Sequence, residues 1–259
     1  LQRTGDFHVL EEMMVFKTHF KDFSEQYAII GGMACDLLFS DAGLDFRATK
    51  DIDMVLIVEA LTVEFAGAFW RFIDDGGYRS AANRSGDPEF YRFEKPANAA
   101  YPKMIELFSR PGSGVRLQYS GHLTPLHVDD GVLSLSAILL NDDYYRFLLK
   151  GRTIVEDIVV LDALHLIVLK MKAWLDLTDQ KAAGSHVNDR DLRKHRLDVF
   201  RLYQLLSQDT KLAVPAAVFG DIRRFIGRMR AMIAAQAPSA AASEQNAMLD
   251  MYESIYPSE

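Results

Sequence analysis

The sequence predicts an α/β protein: a short mixed sheet flanked by helices, followed by a helical C-terminal portion. Three observations predict it. Tyr27-Ala-Ile-Ile30 is a brief apolar run stopped by Gly31-Gly32, which reads as a buried strand leading into a helix over Met33–Phe39. Asp51–Val58 alternates into a hydrophobic run (Ile52, Met54, Val55, Leu56, Ile57, Val58), a second strand. From about Leu161 the texture becomes helical, with Leu161, Leu164, Ile167, Val168, Met171, Trp174 and Leu175 spaced along one face.

The remaining elements follow in order. Leu10, Met13, Met14, Phe16, Phe20 and Phe23 fall near helical spacing, so an amphipathic helix over 8–23 opens the chain. Residues 62–74 carry Phe65, Phe69, Trp70 and Ile73, a helix closed by Gly76-Gly77. Short strands are predicted at 89–94, 103–108, 122–128 and 144–149, with turn residues between them. Helices are predicted over 161–179, 189–207 and Val214–Ile233. The Ala/Ser/Pro-rich stretch 236–243 then forms a loop before a last short helix near 245–254. The seam between the two textures lies near 150–160, giving domains 1–155 and 156–259.

The composition sets outer limits. The chain has 259 residues, 49% apolar and 25% charged, which excludes a disordered tail, a collagen and a disulfide scaffold. A lone cysteine, Cys35, cannot close a bridge within the chain. No apolar stretch approaches the roughly 20 residues of a membrane span, and the N-terminus lacks a basic-then-apolar signal, so a cytoplasmic location is expected. The net charge of −7 is uneven: residues 1–150 hold 15 Lys/Arg against 22 Asp/Glu, and residues 151–259 hold 14 of each. Such a balance argues against a generic nucleic-acid binder, unless metal ions neutralise the acidic half locally.

Three features of the first half carry chemistry. Ile30-Gly31-Gly32-Met33 runs from strand to helix through two glycines, where backbone N–H groups can approach a phosphate closely; a tight turn with no ligand is the other reading. Lys50-Asp51-Ile52-Asp53 enters a strand, so Asp51 and Asp53 share one face. Two like charges so placed need solvent or a hard divalent cation such as Mg²⁺. Glu106, in Lys103-Met104-Ile105-Glu106-Leu107-Phe108, is either an exposed strand residue or a third carboxylate beside that pair. With three, two metals can bind, one activating a hydroxyl and one stabilising a triphosphate.

Gly31-Gly32-Met33-Ala34 followed by Arg47-Ala48-Thr49-Lys50-Asp51-Ile52-Asp53 resembles the signature of the nucleotidyltransferase superfamily related to DNA polymerase β. The gap between Gly32 and Asp51 is longer than in minimal members. The Arg-x-Thr/Ser-x-Asp-x-Asp approach is similar to the AbiEii-like branch, named for toxins of type IV toxin–antitoxin systems, and also to small-molecule nucleotidyltransferases that modify antibiotics. Lys170-Met171-Lys172-Ala173 and Lys194-His195-Arg196-Leu197-Asp198 resemble two helical elements of that branch, with His195 where relatives carry Asp. The resemblance spans about a third of the chain.

It implies a catalytic domain over 1–155 and a helical domain over 156–259. Asp51, Asp53 and Glu106 would then hold Mg²⁺ (or Mn²⁺), Gly31 and Gly32 would take the phosphates of an NTP, and Arg47 and Thr49 would flank the site or cap the strand entrance. The implied reaction is transfer of a nucleoside monophosphate to a hydroxyl of RNA, a protein or a small molecule, with an antitoxin protein as a partner. A binding protein that keeps the nucleotide cradle, and adenylylation of an aminoglycoside-like compound, are the alternatives. Lys170, on an otherwise apolar helix face, must meet an acid or a phosphate or else snorkel to the surface.

Other chemistries lack their motifs. The seven histidines show no His-x-x-x-His spacing and there is no Cys-x-x-Cys, which speaks against zinc; no Gly-x-Ser-x-Gly turn occurs. Arg110-Pro-Gly-Ser-Gly114 lacks the Walker ending and reads as a hairpin turn. Phe90-Tyr91-x-Phe93 reads as strand core. The basic residues Arg190, Arg193, Lys194, Arg196 and Arg201, with Arg223, Arg224, Arg228 and Arg230, read as solvated helix faces or as an RNA-phosphate surface.

Overall fold

The computed structural model describes residues 4–47, 49–82, 88–110, 138–139, 141–207 and 209–259. The chain divides into two compact units, Leu1–Asp130 with Arg152–Asp162 and Gly131–Gly151 with Ala163–Glu259. The boundary is thus crossed more than once, because a hairpin near residue 155 returns to the first unit.

The first unit is built on a seven-stranded mixed sheet. Its strands are β1 (Tyr27–Ile30), β2 (Asp51–Leu56), β3 (Arg79–Ala82), β4 (Pro88–Glu94), β5 (Met104–Phe108), β6 (Arg152–Val155) and β7 (Ile158–Leu161), in the spatial order β3-β4-β5-β2-β1-β7-β6. Pairing is parallel between β2 and β5 and between β1 and β7, and antiparallel elsewhere. Helices α1 (Thr4–Phe20), α2 (Gly31–Asp41) and α3 (Val63–Gly76) complete it.

Strand alternation sorts the sheet into two faces. Tyr27, Ile52, Ile105 and Phe93 point to one of them and are buried. There Phe16 and Phe20 of α1 lie 5.7 and 6.0 Å from the Tyr27 ring, and Phe69 of α3 lies 5.5 Å from Phe93. An aromatic core thus covers this face, edge-to-face in the manner such rings prefer. The helix α3 starts where Thr62 accepts the Phe65 N–H (3.2 Å) and ends at Gly77 in the left-handed region (φ 62°). The opposite face carries Asp51 and Asp53.

The hairpin β6–β7 was not predicted. Its turn is Glu156-Asp157, with φ of 50° and 65°, a backbone normally announced by Asn-Gly. Without that signal, Ile158–Leu161 merges by eye into the apolar helix that follows.

The second unit is helical: α4 (Asp142–Lys150), α5 (Ala163–Ala182), α6 (Asp189–Leu202) with a 3₁₀ turn over Tyr203–Leu205, α7 (Ala216–Ala234) and α8 (Ala240–Ile255). The strand predicted at 144–149 is instead helix α4. Asn141 Oδ1 accepts from the N–H groups of Asp143 (2.9 Å) and Tyr144 (3.2 Å), capping the N-terminus, and Asp142 and Asp143 suit the positive end of the helix dipole. Tyr144, Tyr145, Phe147 and Leu148 are buried at helical spacing. The strand predicted at 122–128 and the turn at 111–114 lie outside the described residues.

Helix α5 is buried nearly all round, as a central helix must be. Tyr252 and Tyr256 of and after α8 donate their hydroxyls to the carbonyls of Val199 (2.6 Å) and Leu164 (2.8 Å), tying the last helix to α6 and α5. Arg224 and Arg228 pair with Asp179, and Arg223 and Arg230 with Glu253, so these four arginines of the basic group bind acids of their own unit. Among the described residues no helix is long and apolar enough to cross a membrane.

Candidate functional site

The strand β1 ends at Ile30, whose register partner is Asp53 on β2. The chain then turns at Gly31 with φ +70°, a conformation that L side chains resist, and enters α2 directly. A Cβ at Gly31 would fall on the Asp53 carboxylate, 2.8 Å from its Cγ. At Gly32 it would lie 2.9 Å from Thr49 Oγ1 and 3.3 Å from Arg47 Nη2. The two glycines therefore let the start of a helix press against an acid, a hydroxyl and a guanidinium that the sequence brings in from 15 or more residues away. Cys35 closes the turn by donating Sγ–H to Gly31 O at 3.1 Å.

Asp51 and Asp53 stand on one face of β2, each half-buried, while Ile52 and Met54 point into the core. In the parallel β2–β5 ladder Asp53 is in register with Glu106, and in the antiparallel β5–β4 ladder Glu106 is in register with Arg92. A transverse row Ile30–Asp53–Glu106–Arg92 thus crosses four strands. Asp51 heads the neighbouring row with Met104 and Glu94. Gly31, Gly32, Arg47, Thr49, Asp51, Asp53 and Glu106 are all brought together in the first unit.

Arg92 is the residue that sequence reasoning missed. Its Nε and Nη2 lie 2.6 and 2.5 Å from Glu106 Oε1, a charge-assisted pair on a half-shielded strand surface. The available signal was the alternation of β4, which sets Arg92 and Glu94 on the face opposite Phe93.

Hard carboxylate oxygens in this register are the donor type that Mg²⁺ and Mn²⁺ take. In kind and in strand position Asp51, Asp53 and Glu106 fit such an ion. As the side chains stand, Glu106 is held by Arg92, and among the described residues no group of three or more His, Cys, Asp or Glu is gathered around a common ion position.

Lys170 belongs to the second unit. It is 4% exposed and its Nζ lies 2.9 Å from Asp198 Oδ2, itself 1% exposed. Of the partners open to a buried ammonium, it has an acid, and snorkelling is excluded by its depth. The pair joins α5 to α6 and links the two helical motifs singled out in the sequence. His165, one turn earlier, packs its ring 4.2 Å from Phe147, and Gly151 leaves room for it, since a Cβ there would lie 2.6 Å from that of His165.

No protein-family model and no curated protein matches the chain. Among solved structures it is similar to the solution structure of the antibiotic-resistance factor ANT(2'')-Ia, at 11% identity and a TM-score of 0.38, over 88% of this chain and 96% of that one. A likeness at that score carries no argument about fold or activity.

Proposed function

We propose that the chain is a metal-dependent nucleotidyltransferase that moves a nucleoside monophosphate from an NTP to a hydroxyl and releases pyrophosphate. The observation that carries the reading is the seating of the Gly31-Gly32 helix start directly against Asp53, with Glu106 in register on the next strand. A donor-rich turn beside a row of carboxylates suits a substrate whose phosphates are bridged to protein by cations.

In this reading Gly31 and Gly32 offer backbone N–H groups to the phosphates, and Arg47 and Thr49 flank them. Asp51 and Asp53 hold the nucleotide's Mg²⁺ or Mn²⁺, and Glu106, with Asp53, faces the attacking hydroxyl. The chemistry a divalent cation supplies there is neutralisation of the triphosphate and activation of the hydroxyl. The finer assignment is to the AbiEii-like branch, as a toxin acting on RNA and restrained by an antitoxin protein. It is supported by the meeting of Lys170 and Asp198, one from each of the two helical elements that resemble that branch. A cytoplasmic site of action completes the proposal.

The test is incubation of the purified chain with each labelled NTP, Mg²⁺ and bulk RNA, protein or small acceptors. Transfer is expected, and it should vanish in Asp51→Ala with Asp53→Ala; transfer that survives that double substitution refutes the assignment. A second reading, a nucleotide- or partner-binding protein with the same scaffold, is favoured by the engagement of Glu106 with Arg92. Calorimetry separates the two, because NTP binding indifferent to both Mg²⁺ and the acids speaks for the second.

A further inference from the structure

Between α6 and α7 the second unit has a cavity of about 120 Å³, lined by Arg196, Leu197 and Phe200 of α6 and by Met229, Met232 and Ile233 of α7. Its depth is buried, since Met229 and Ile233 are 2% and 8% exposed, while Leu197 at 36% and Met232 at 37% keep its mouth apolar. Both belong to the small set of large apolar side chains left exposed among the described residues. The volume is well below the roughly 300 Å³ at which small-molecule sites begin. An apolar cavity of ~150 Å³ takes up benzene, so this one has room for about one large side chain. Methionine can reshape such a wall around whichever apolar group enters.

The surroundings of the cavity are positive. Arg190, Arg193 and Arg196 recur at every third residue of α6, and Arg193 neighbours both Arg196 and Leu197 on the helix surface. None of the three side chains makes an ion pair or hydrogen bond among the described residues. No carboxylate lines the cavity, and Gln236 and Gln245 complete its wall with neutral groups. The acids of α6 are engaged or turned away. Asp189 pairs with Lys181 and Asp198 with Lys170, while Asp191 lies about two and a half turns before Phe200, on the far side of the helix. Glu244, next to Gln245 on α8, is a single exposed acid against three guanidiniums.

We propose that the cavity and its arginine row form a docking site for an acidic protein segment. One large apolar side chain of that segment enters between Leu197 and Met232, and Asp or Glu residues beside it pair with Arg193 and Arg196, whose planar forks suit carboxylates. A phosphate backbone would match the charges but leave the apolar mouth wet, so the combination favours a protein partner over a nucleic acid. The inference stands apart from the transferase reading, because it uses no residue of the first unit.

The experiment uses the full chain and follows the fluorescence anisotropy of a labelled synthetic peptide in which Leu residues at helical spacing are flanked by Glu. Saturable binding is expected, and it should weaken about tenfold or more when Ser replaces Leu in the peptide, a test of the cavity that leaves the protein unaltered. Arg193→Gln with Arg196→Gln, and separately Met232→Gln, should each weaken it by about tenfold or more, with the melting temperature unchanged at these exposed or half-buried positions. Arg193→Lys with Arg196→Lys should recover part of the loss. Added salt should weaken binding to the unsubstituted protein more than to the Gln variant. No binding of the peptide, or binding indifferent to its Leu residues or to Met232→Gln, overturns the inference. So does a labelled oligouridylate that binds more tightly than the peptide and loses affinity in Arg193→Gln with Arg196→Gln, which would make this a nucleic-acid surface.

Discussion

Arg92 grips a single oxygen of Glu106 with two of its nitrogens, Nε at 2.6 Å and Nη2 at 2.5 Å, while Asp53 stands next to Glu106 on the other side of the ladder. Two carboxylates on adjoining strands repel, and the guanidinium offsets that repulsion without any ion from solution. Arg92→Met removes the internal counter-charge. We expect Mg²⁺ or Mn²⁺ to raise the melting temperature of this variant by more than it raises that of the unsubstituted protein. An equal or smaller rise in differential scanning fluorimetry would show that Arg92 does not compete for the acid.

Gly31 carries two demands at once, a left-handed backbone at φ +70° and the close approach of Asp53; Gly43 has φ +68° but nothing within 4 Å of where a Cβ would sit. Gly43→Ala should therefore cost only the backbone term, about 1–2 kcal/mol. Gly31→Ala should cost more in urea unfolding and should also abolish NTP binding. Equal losses for the two substitutions would mean that Asp53 moves aside freely.

The Lys170–Asp198 pair lies deep in the second unit, with 4% and 1% exposure. Removing one member takes this charge partner from the other in a buried setting, at a cost of about 3–5 kcal/mol. Lys170→Met should show this loss in equilibrium unfolding, and adding Asp198→Leu should recover most of it, since replacing both charges by apolar groups is often neutral. A double variant no more stable than the single would place the importance of the pair elsewhere than in charge compensation.

Burial pushes the Tyr27 hydroxyl up to about 12 and raises those of Tyr144 and Tyr252 as well, Tyr144 also through neighbouring Asp221. In the unfolded chain a tyrosine ionises near 10. The folded state keeps these protons longer, so the stability they support is complete below pH 10 and declines as pH rises towards and through the folded values. For Tyr27 alone the decline is about 1.4 kcal/mol per pH unit between 10 and 12. Urea midpoints should fall steeply over that range, and Tyr27→Phe should lessen the slope. A flat profile to pH 12 would contradict the assignment.

Much of this architecture could be read from the chain. The runs at Tyr27–Ile30 and Asp51–Leu56 are apolar, short and bounded by Gly-Gly or by charges, so their strands were legible, whereas the seating of Gly31 against Asp53 depends on the antiparallel register of β1 with β2. Residues 144–149 misled because Tyr and Phe favour strands, whereas the deciding group was Asn141, a cap whose effect depends on two backbone N–H groups rather than on periodicity. The partner of Glu106 was not legible, because it depends on which strand lies beside β5, and that is fixed by the crossover topology and not by any local spacing. Asp198 was visible within its motif, but its burial against Lys170 depends on how α5 and α6 pack.

Strand β1 lies between β2 and β7, and β7 is contributed by residues more than a hundred positions later. A nascent chain that has emerged only to residue 150 therefore holds a sheet whose central ladder still shows an open edge, apolar and ready to pair with another polypeptide. Fragments ending there should aggregate during expression, whereas fragments reaching Asp162 carry their own protective hairpin. Truncation boundaries for producing the first unit alone must respect that late-arriving piece.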